Sequence, residues 1–395
     1  MSELQVKKVK TAVIGCGMIS HSYIRNLMQM FSIIDLVAVC DINPAAAEEK
    51  RCLYGVQSTM TADEIAADPQ IELVVNLTAP VAHYAVIKQM LEAGKHVYTE
   101  KPFAARLDQA WELAELADRL GLSIAVAPDA VLGAQVQTAR KMIDSGLVGK
   151  ITSGLVSVTR NHNLNSEVYR FLQKEGGALP YDLGIYYIAA LIALLGSVKA
   201  VRGFGAPAPH HQKELLFDEG NGDGWTIPGN NLLTAGLSFA GGALVSLHFN
   251  GNAVGAEQHC FELYGTEGML ALDDPNTFGG PVQWTRPESA PVLLPFTHGY
   301  NGIFIGEQTP YEHFGHRGVG AAELAWAIRQ GRKSRLNQAY GLHCLEVLHG
   351  LDEAARTGMT YEMQSSCQVK PLRSGFYSSM DSRKLRGDAE RSLVD

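Results

Sequence analysis

The feature that most constrains this chain is an alternation of two hydrophobic periods between residues 9 and 126. VKTAVIG, DLVAVCD, IELVVNLT, KHVYTE and SIAVAP are short β-branched runs that stop at glycine, acid or proline. Between them lie MISHSYIRNLMQM, PAAAEEKRCLYG, HYAVIKQMLEAG and LDQAWELAELADRLG, which carry helical periodicity. Parallel strands need crossover connections, and helices supply them here at every step. Residues 1–128 are therefore expected to form a doubly wound parallel sheet with helices on both faces.

The first strand-to-helix junction reads VIGCGMIS. Gly15 permits a tight turn, Gly17 lets a pyrophosphate approach the backbone, and Ser20 is small enough for close helix packing. Gly15, Gly17, Met18 and Ile19 are thus the expected phosphate loop of a Rossmann-type domain. Asp41 ends the second strand, where an acid accepts hydrogen bonds from both ribose hydroxyls and repels a 2′-phosphate. NAD is expected over NADP, with Arg51 the one nearby cation that would undercut this. Asp41 is equally compatible with capping the helix that begins near Pro44. Thr78, Pro80 and His83 fall at the carboxyl end of a strand, on the ligand side of such sheets. Thr78 reads as a cofactor contact, and His83 as either a cofactor neighbour or a packing histidine. In GKHVYTEKPF, Pro102 drives Lys101 out of helical conformation, so a strand must end with that lysine aimed by a loop.

After Pro128 the pattern changes. A helix, AQVQTARKMIDSG, leads into KITSGLVSVTR, a second helix near 182–195, and then AVRGFGA, LLTAGLSFA, ALVSLHFNG, HCFELYG and GMLALDD. These strands with tight turns predict an α+β domain over residues 129–365 with a large open, mainly antiparallel sheet. The helices GAAELAWAIRQG and AYGLHCLEVLHGLDEAARTG are expected to close its core. Residues 366–395 lose period and read as a polar tail, flexible or reaching another subunit. The uncharged run Leu183–Val198 is shorter than the ~20 residues of a spanning helix, so a buried helix is expected.

A net charge of −8 offers no basic surface for nucleic acid or an anionic membrane, so a small-molecule partner is expected. Six cysteines without a CxxC pair, and no signal-peptide pattern, predict a cytoplasmic protein with reduced thiols. His210, His211 and Glu214, or His313 and His316, lack the spacing of a metal site, and none is expected.

GCGMIS, the strand-end Asp41, AGKHVYTEKPF and GGALPYDLGIYYIAALIALLG, in that order, resemble the Gfo/Idh/MocA family of NAD(P)-dependent oxidoreductases, the glucose-fructose oxidoreductase and inositol dehydrogenase group. The resemblance runs to about residue 363. It implies that Lys101 lies beside nicotinamide and substrate, and that Glu100 and Pro102 shape the cofactor end of the site. The family's D-x-G-x-H signature reads Asp182, Leu183, Gly184, Ile185, Tyr186 here. Tyrosine in place of histidine is similar to the glucose-fructose oxidoreductase and dihydrodiol dehydrogenase style of site. Asp182 and Tyr186, four apart, share a helix face, so one can orient a hydroxyl while the other exchanges its proton. APDAVLGAQVQTARKMIDSGLVG and LYGTEGMLALDDPNTFGGPV resemble a set of family members, mostly of undefined substrate, some of them similar to bacterial enzymes that oxidise the 3-hydroxyl of glycosides. That resemblance implies that Asp129, Asn161, His162, Tyr169 and Arg170 line a sugar pocket, with His162 on a loop. RNHNLNS departs from the G-H-E-like sequence of that subgroup.

The expected reaction moves a hydride between nicotinamide and a carbinol carbon of a sugar, polyol or glycoside. A phenol of ordinary pKa ~10 is a poor base unless a cation stabilises its anion, which Lys101 would supply for Tyr186. Lys101 is equally eligible as the proton-transfer group itself. The competing readings are a redox-neutral enzyme that keeps its NAD, through sugar-to-sugar transfer or glycoside cleavage via a keto intermediate, and a non-catalytic dinucleotide-binding regulator. The family implies a homodimer or homotetramer.

Overall fold

The structure, a computed structural model, describes residues 6–211, 224–302 and 315–374. Contacts divide the chain into two compact units. Of the described residues, the first holds those up to Ala134, those within Thr297–Leu342 and those from Lys370, and the second those within Gln135–Phe296 and His343–Val369. The sequence reading drew continuous domains with boundaries at 128/129 and 365/366, whereas these units are discontinuous.

The first unit follows the alternation read from the sequence. Strands β1 (Val9–Ile14), β2 (Ile34–Cys40), β3 (Ser58–Thr59), β4 (Leu73–Asn76), β5 (His96–Thr99) and β6 (Ile124–Val126) form one parallel sheet in the order β3-β2-β1-β4-β5-β6. Helices α1 (Ser20–Gln29), α2 (Pro44–Tyr54), α3 (Ala62–Ala67), α4 (Pro80–Glu92) and α5 (Leu107–Leu120) supply the crossovers. The order reverses at β1 and β4, and a sheet of this kind takes its ligand at the carboxyl ends of the strands beside that reversal. Strand β4 is buried along its whole length, as a central strand covered on both faces must be. The short β3 and α3 were not read from the sequence. A two-residue strand and a six-residue helix leave no periodic signal, although Thr61 and Glu64 form a capping box.

In the second unit, α6 (Ala134–Asp144), β7 (Ile151–Thr159), α7 (His162–Val168) and α8 (Ile185–Leu195) precede β8 (Val198–Pro207), β9 (Asn230–Phe239), β10 (Leu244–Asn250), β11 (Gln258–Gly265), β12 (Met269–Leu272), β13 (Val282–Thr285) and β14 (Val292–Leu293). With β15 (Tyr361–Glu362) they make a nine-stranded sheet in the order β14-β13-β12-β11-β7-β10-β9-β8-β15. Only β7 and β10 pair in parallel. One face carries Val156, Val158, Leu233, Leu237, Leu247, Phe249, Phe261 and Leu263, all buried. The other turns Phe204 (77% exposed), Leu244 (61%) and Leu155 outward. Helix α8 is apolar all round and buried from Ile185 to Leu194, as its uniform composition requires. Among the described residues, no helix is long and apolar enough to cross a membrane.

The last two helices are α9 (Val319–Gln330) and α10 (Gln338–Thr357). The expectation that both close the second domain's core is corrected for α9, which packs in the first unit on β5, β6 and the turn Asp129–Leu132. A Cβ on Gly320 would stand 2.6 Å from the Tyr98 ring and 2.8 Å from Asp129 Cβ, so only glycine allows this approach. An apolar helix pattern does not say which sheet it covers.

Candidate active site

The loop after β1 has the geometry of a dinucleotide cradle. Gly15 sits at φ 103°, and a Cβ there would stand 2.6 Å from the Leu77 carbonyl at the end of β4. No other residue fits. At Gly17, by contrast, a Cβ would meet nothing within 4 Å, which leaves open space against the backbone where a pyrophosphate can approach. No side chain caps α1 at Ile19, and its first turn holds no acid, so the positive end of the helix stays uncancelled. Met18 is exposed beside it. Ser20 is fully buried, and its hydroxyl donates to the Gly17 carbonyl at 2.6 Å.

Asp41 ties this loop to β2. One carboxylate oxygen accepts from Cys16 N at 2.7 Å and the other from Asn43 N at 2.8 Å. The helix cap is Asn43, whose side chain accepts from Ala45 N, so the alternative of Asp41 as the cap does not hold. Arg51 pairs with Glu48 at 2.6 and 2.7 Å. Burial first, then Asp41, pushes the Cys16 thiol up to about 12. The thiol therefore adds no charge to the phosphate loop.

Lys101 follows β5 on the same edge of the sheet, half-buried. Its backbone N–H donates to Glu100 Oε2 at 2.9 Å, and Tyr23 on α1 donates to Glu100 Oε1 at 2.6 Å. Tyr23 also meets the Tyr98 hydroxyl at 2.9 Å. Burial, then Asp129 and Glu100, raise the pKa of both phenols well above the usual range, so they remain donors. The helix that opens at the dinucleotide loop thus braces the loop that aims Lys101. Nearby, Asn76 accepts from the Thr78 hydroxyl at 2.7 Å and donates to Thr99 Oγ1 at 3.1 Å. Pro80 opens α4. His83 is fully buried behind these loops, its ring nitrogens on the carbonyls of Thr78 and Pro102.

In the second unit, residues Pro180–Gly184 form one wide π turn that runs into α8, so Asp182 lies on the turn and Tyr186 on the helix proper. A π turn takes about 4.4 residues, so the four-residue spacing still leaves both on one side. Asp182 is half-buried and Tyr186 buried. Gly184 fixes the approach of this segment to the sheet, since a Cβ there would stand 2.6 Å from the Phe249 ring. Tyr187 packs between Phe249 and Phe261, with ring centroids 6.2 and 6.1 Å away. Fully buried Asn231 accepts from Leu179 N at 3.1 Å and donates to Asn252 at 2.7 Å, which anchors the segment entering the turn.

Two expected sugar contacts are placed differently. Asp129 is fully buried in the first unit. Its Oδ2 accepts from Gly318 N at 2.8 Å and Gly320 N at 3.1 Å, and Oδ1 lies 3.5 Å from Arg317. It anchors the start of α9. His162 is not on a loop: it opens α7, fully buried, with Nε2 2.8 Å from the Gly177 carbonyl. Asn161 caps that helix by accepting from Leu164 N. Tyr169 and the exposed Arg170 follow α7. Glu214 and His313 of the discounted metal clusters lie outside the described residues, as do 375–395 of the tail. Among the described residues, no three His, Cys, Asp or Glu side chains gather as a metal site. The sequence reading missed Tyr23, Asn76 and Asn231. Asn76 alone left a signal, a polar residue inside the apolar run of a central strand.

A parallel sheet in this order, with an open glycine loop and an acid at the end of β2, defines a dinucleotide-binding oxidoreductase fold. The family model described as "Oxidoreductase family, NAD-binding Rossmann fold" matches residues 9–127, and the GFO/IDH/MocA C-terminal domain model matches 136–271. Together they cover more than half of the chain, which belongs to the Gfo/Idh/MocA family of NAD-binding oxidoreductases. The inositol 2-dehydrogenase/D-chiro-inositol 3-dehydrogenase of Lactiplantibacillus plantarum is 31% identical over 38% of this chain and 43% of its own. The D-glucoside 3-dehydrogenase of Escherichia coli is 28% identical over 51% and 58%. The chain spans about half the length of the curated relatives it matches. Levoglucosan dehydrogenase, solved with NADH and levoglucosan, superposes with a TM-score of 0.76 over 91% of this chain and 100% of its own. At 19% identity that likeness establishes the fold.

Proposed function

We propose that this protein is a dehydrogenase that uses NAD to move a hydride to or from a carbinol carbon of a sugar, polyol or glycoside. The observation that carries the reading is Lys101, held by Glu100 at the carboxyl end of β5, on the sheet edge that also bears the open Gly17 loop and Thr78. Gly15, Gly17, Met18 and Ile19 would hold the pyrophosphate, Asp41 the adenosine ribose, and Thr78 and Pro80 the approach to the nicotinamide. NAD is favoured over NADP because Asp41 repels a 2′-phosphate and the cations of α2, Arg51 and Lys50, are engaged by Glu48 and Glu49. When bound, NAD supplies the hydride acceptor at C4 of its nicotinamide.

The chain's own residues handle the proton. We assign its removal from the reacting hydroxyl to Tyr186 or Lys101, and the orienting of the hydroxyls to Asp182. Tyrosine at this position of the family signature fits that division of labour. Tyr169 and Arg170 are the proposed outer contacts of the sugar. The apolar side chains on the outward sheet face, Phe204, Leu244 and Leu155, support pairing with a second copy of the chain.

The test is to denature the purified protein, identify any released nucleotide and its redox state, and screen sugars, polyols and glycosides for formation of reduced nicotinamide. Turnover of added NAD supports a conventional dehydrogenase. Product formed with retained nucleotide and no free NADH would replace it with the redox-neutral reading. Lys101→Met, which keeps bulk and removes charge, is expected to abolish most turnover while NAD affinity changes little. Wild-type activity in that variant would refute the site assignment.

A further inference from the structure

His83 stands behind the cofactor edge of the first unit's sheet, four residues into α4, and no step above uses it. Its Nδ1 lies 2.7 Å from the Pro102 carbonyl oxygen and its Nε2 2.9 Å from the Thr78 carbonyl oxygen. One fully buried ring therefore spans the loop after β4 and the loop after β5. Carbonyl oxygens only accept, so each contact needs a ring proton, and a neutral imidazole has one. Burial lowers the pKa of His83, with Lys101 adding to that, while the two carbonyls and Glu100 act in the opposite direction. A neutral ring donates to one carbonyl only and turns its bare nitrogen to the other; the shorter contact, Nδ1 to Pro102 at 2.7 Å, is assigned the proton.

The peptide at Lys101 is gripped on both sides. Its N–H is held by Glu100, and the carbonyl of the next residue, Pro102, faces His83. Pro102 is itself buried, so its carbonyl has little access to water when the histidine is removed. We propose that His83 is a positioning residue, which sets Lys101 by donating to the carbonyl of the next residue, Pro102, from a ring buried against the Thr78 loop, and not by touching cofactor or substrate. The proposal rests on the reading of Lys101 given above, and it replaces the expectation that His83 contacts the cofactor.

The two ring nitrogens can be tested separately. Asparagine places its amide nitrogen near the Nδ1 position and can keep the Pro102 contact. Glutamine places its own near Nε2 and can keep only the Thr78 contact. Leucine keeps neither. For the full chain and the variants His83→Asn, His83→Gln and His83→Leu, kcat and KM, the Kd for NADH from protein fluorescence, and hydrogen exchange of the segment 99–104 would be measured. The expected result is that Asn stays near the wild-type kcat, while Gln and Leu lose about tenfold, as one misplaced hydrogen-bonded group costs. NADH affinity should change less than about threefold, because the glycine loop and helix N-terminus that hold the pyrophosphate do not touch His83. Exchange over 99–104 should rise in Gln and Leu but not in Asn. Gln matching or exceeding Asn, or Leu with wild-type kcat and exchange, overturns the proposal. A wild-type protein that oxidises no sugar would sink the functional reading alone, since the exchange comparison still decides for or against the clamp.

Discussion

Tyr23→Phe isolates the brace between the dinucleotide helix and the Lys101 loop. The substitution removes one oxygen from a fully buried site and leaves the ring in place. Glu100 Oε1 loses a donor at 2.6 Å, and the Tyr98 hydroxyl loses its neighbour at 2.9 Å. A hydrogen bond to a charged group contributes about 1.5–3 kcal/mol, and a buried hydroxyl left unpaired costs about 1 kcal/mol, so the expected loss is about 3 kcal/mol. Urea denaturation, with the slope unchanged, measures it. Because both phenols stay protonated, the loss should be constant across neutral and mildly alkaline pH. A cycle with Glu100→Gln isolates the charge-assisted part, with an expected coupling of about 1–2 kcal/mol. Additivity within about 0.4 kcal/mol would refute the claim that these two groups form one unit. The same variant should lower kcat, since the carboxylate that holds Lys101 N becomes free to turn.

Two further predictions rest on other contacts. In Gly184→Ala the new methyl would stand 2.6 Å from the Phe249 ring, and such overpacking costs about 1–3 kcal/mol, with kcat falling as Tyr186 is displaced. Adding Phe249→Leu should recover part of both, and failure to recover either would show that the ring is not the obstacle. Burial holds the pKa of His316 down at about 4, against 6.5 when unfolded, and its Nδ1 accepts from Gly302 N. The unfolded chain binds this proton more readily, so the stability it contributes is complete above about pH 6.5 and is lost as pH falls toward 4, by about 3 kcal/mol in all. His316→Asn, which keeps an acceptor, should lose correspondingly less stability between pH 7 and 4.5 in urea titrations. Equal losses in both proteins would remove His316 from the account.

Much of the first unit was legible because its determinants are local. Strand and helix periods, a glycine where only positive φ fits, and an acid at a strand end are all written in neighbouring residues. Asp182, Gly184 and Tyr186 were singled out by resemblance to a family signature, and the spacing of Asp182 and Tyr186 survives even though the turn is wider than an α-helix. What the tertiary structure alone decided involves partners far apart in the chain. Asp129 reads like any pocket acid until Gly318 and Gly320 arrive from nearly two hundred residues away to occupy its carboxylate. His162 reads as a loop residue because seven helical residues carry too little period to announce a helix, and its burial depends on Gly177. Helix α9 joins the first sheet because Gly320 admits Tyr98, a fit invisible to hydrophobic pattern. The sequence by itself determined which residues can carry charge, turn or pack, since those properties belong to each side chain and its neighbours. Which of them are buried, paired or left facing a ligand was decided by long-range packing, because a hydrogen bond needs both partners in place.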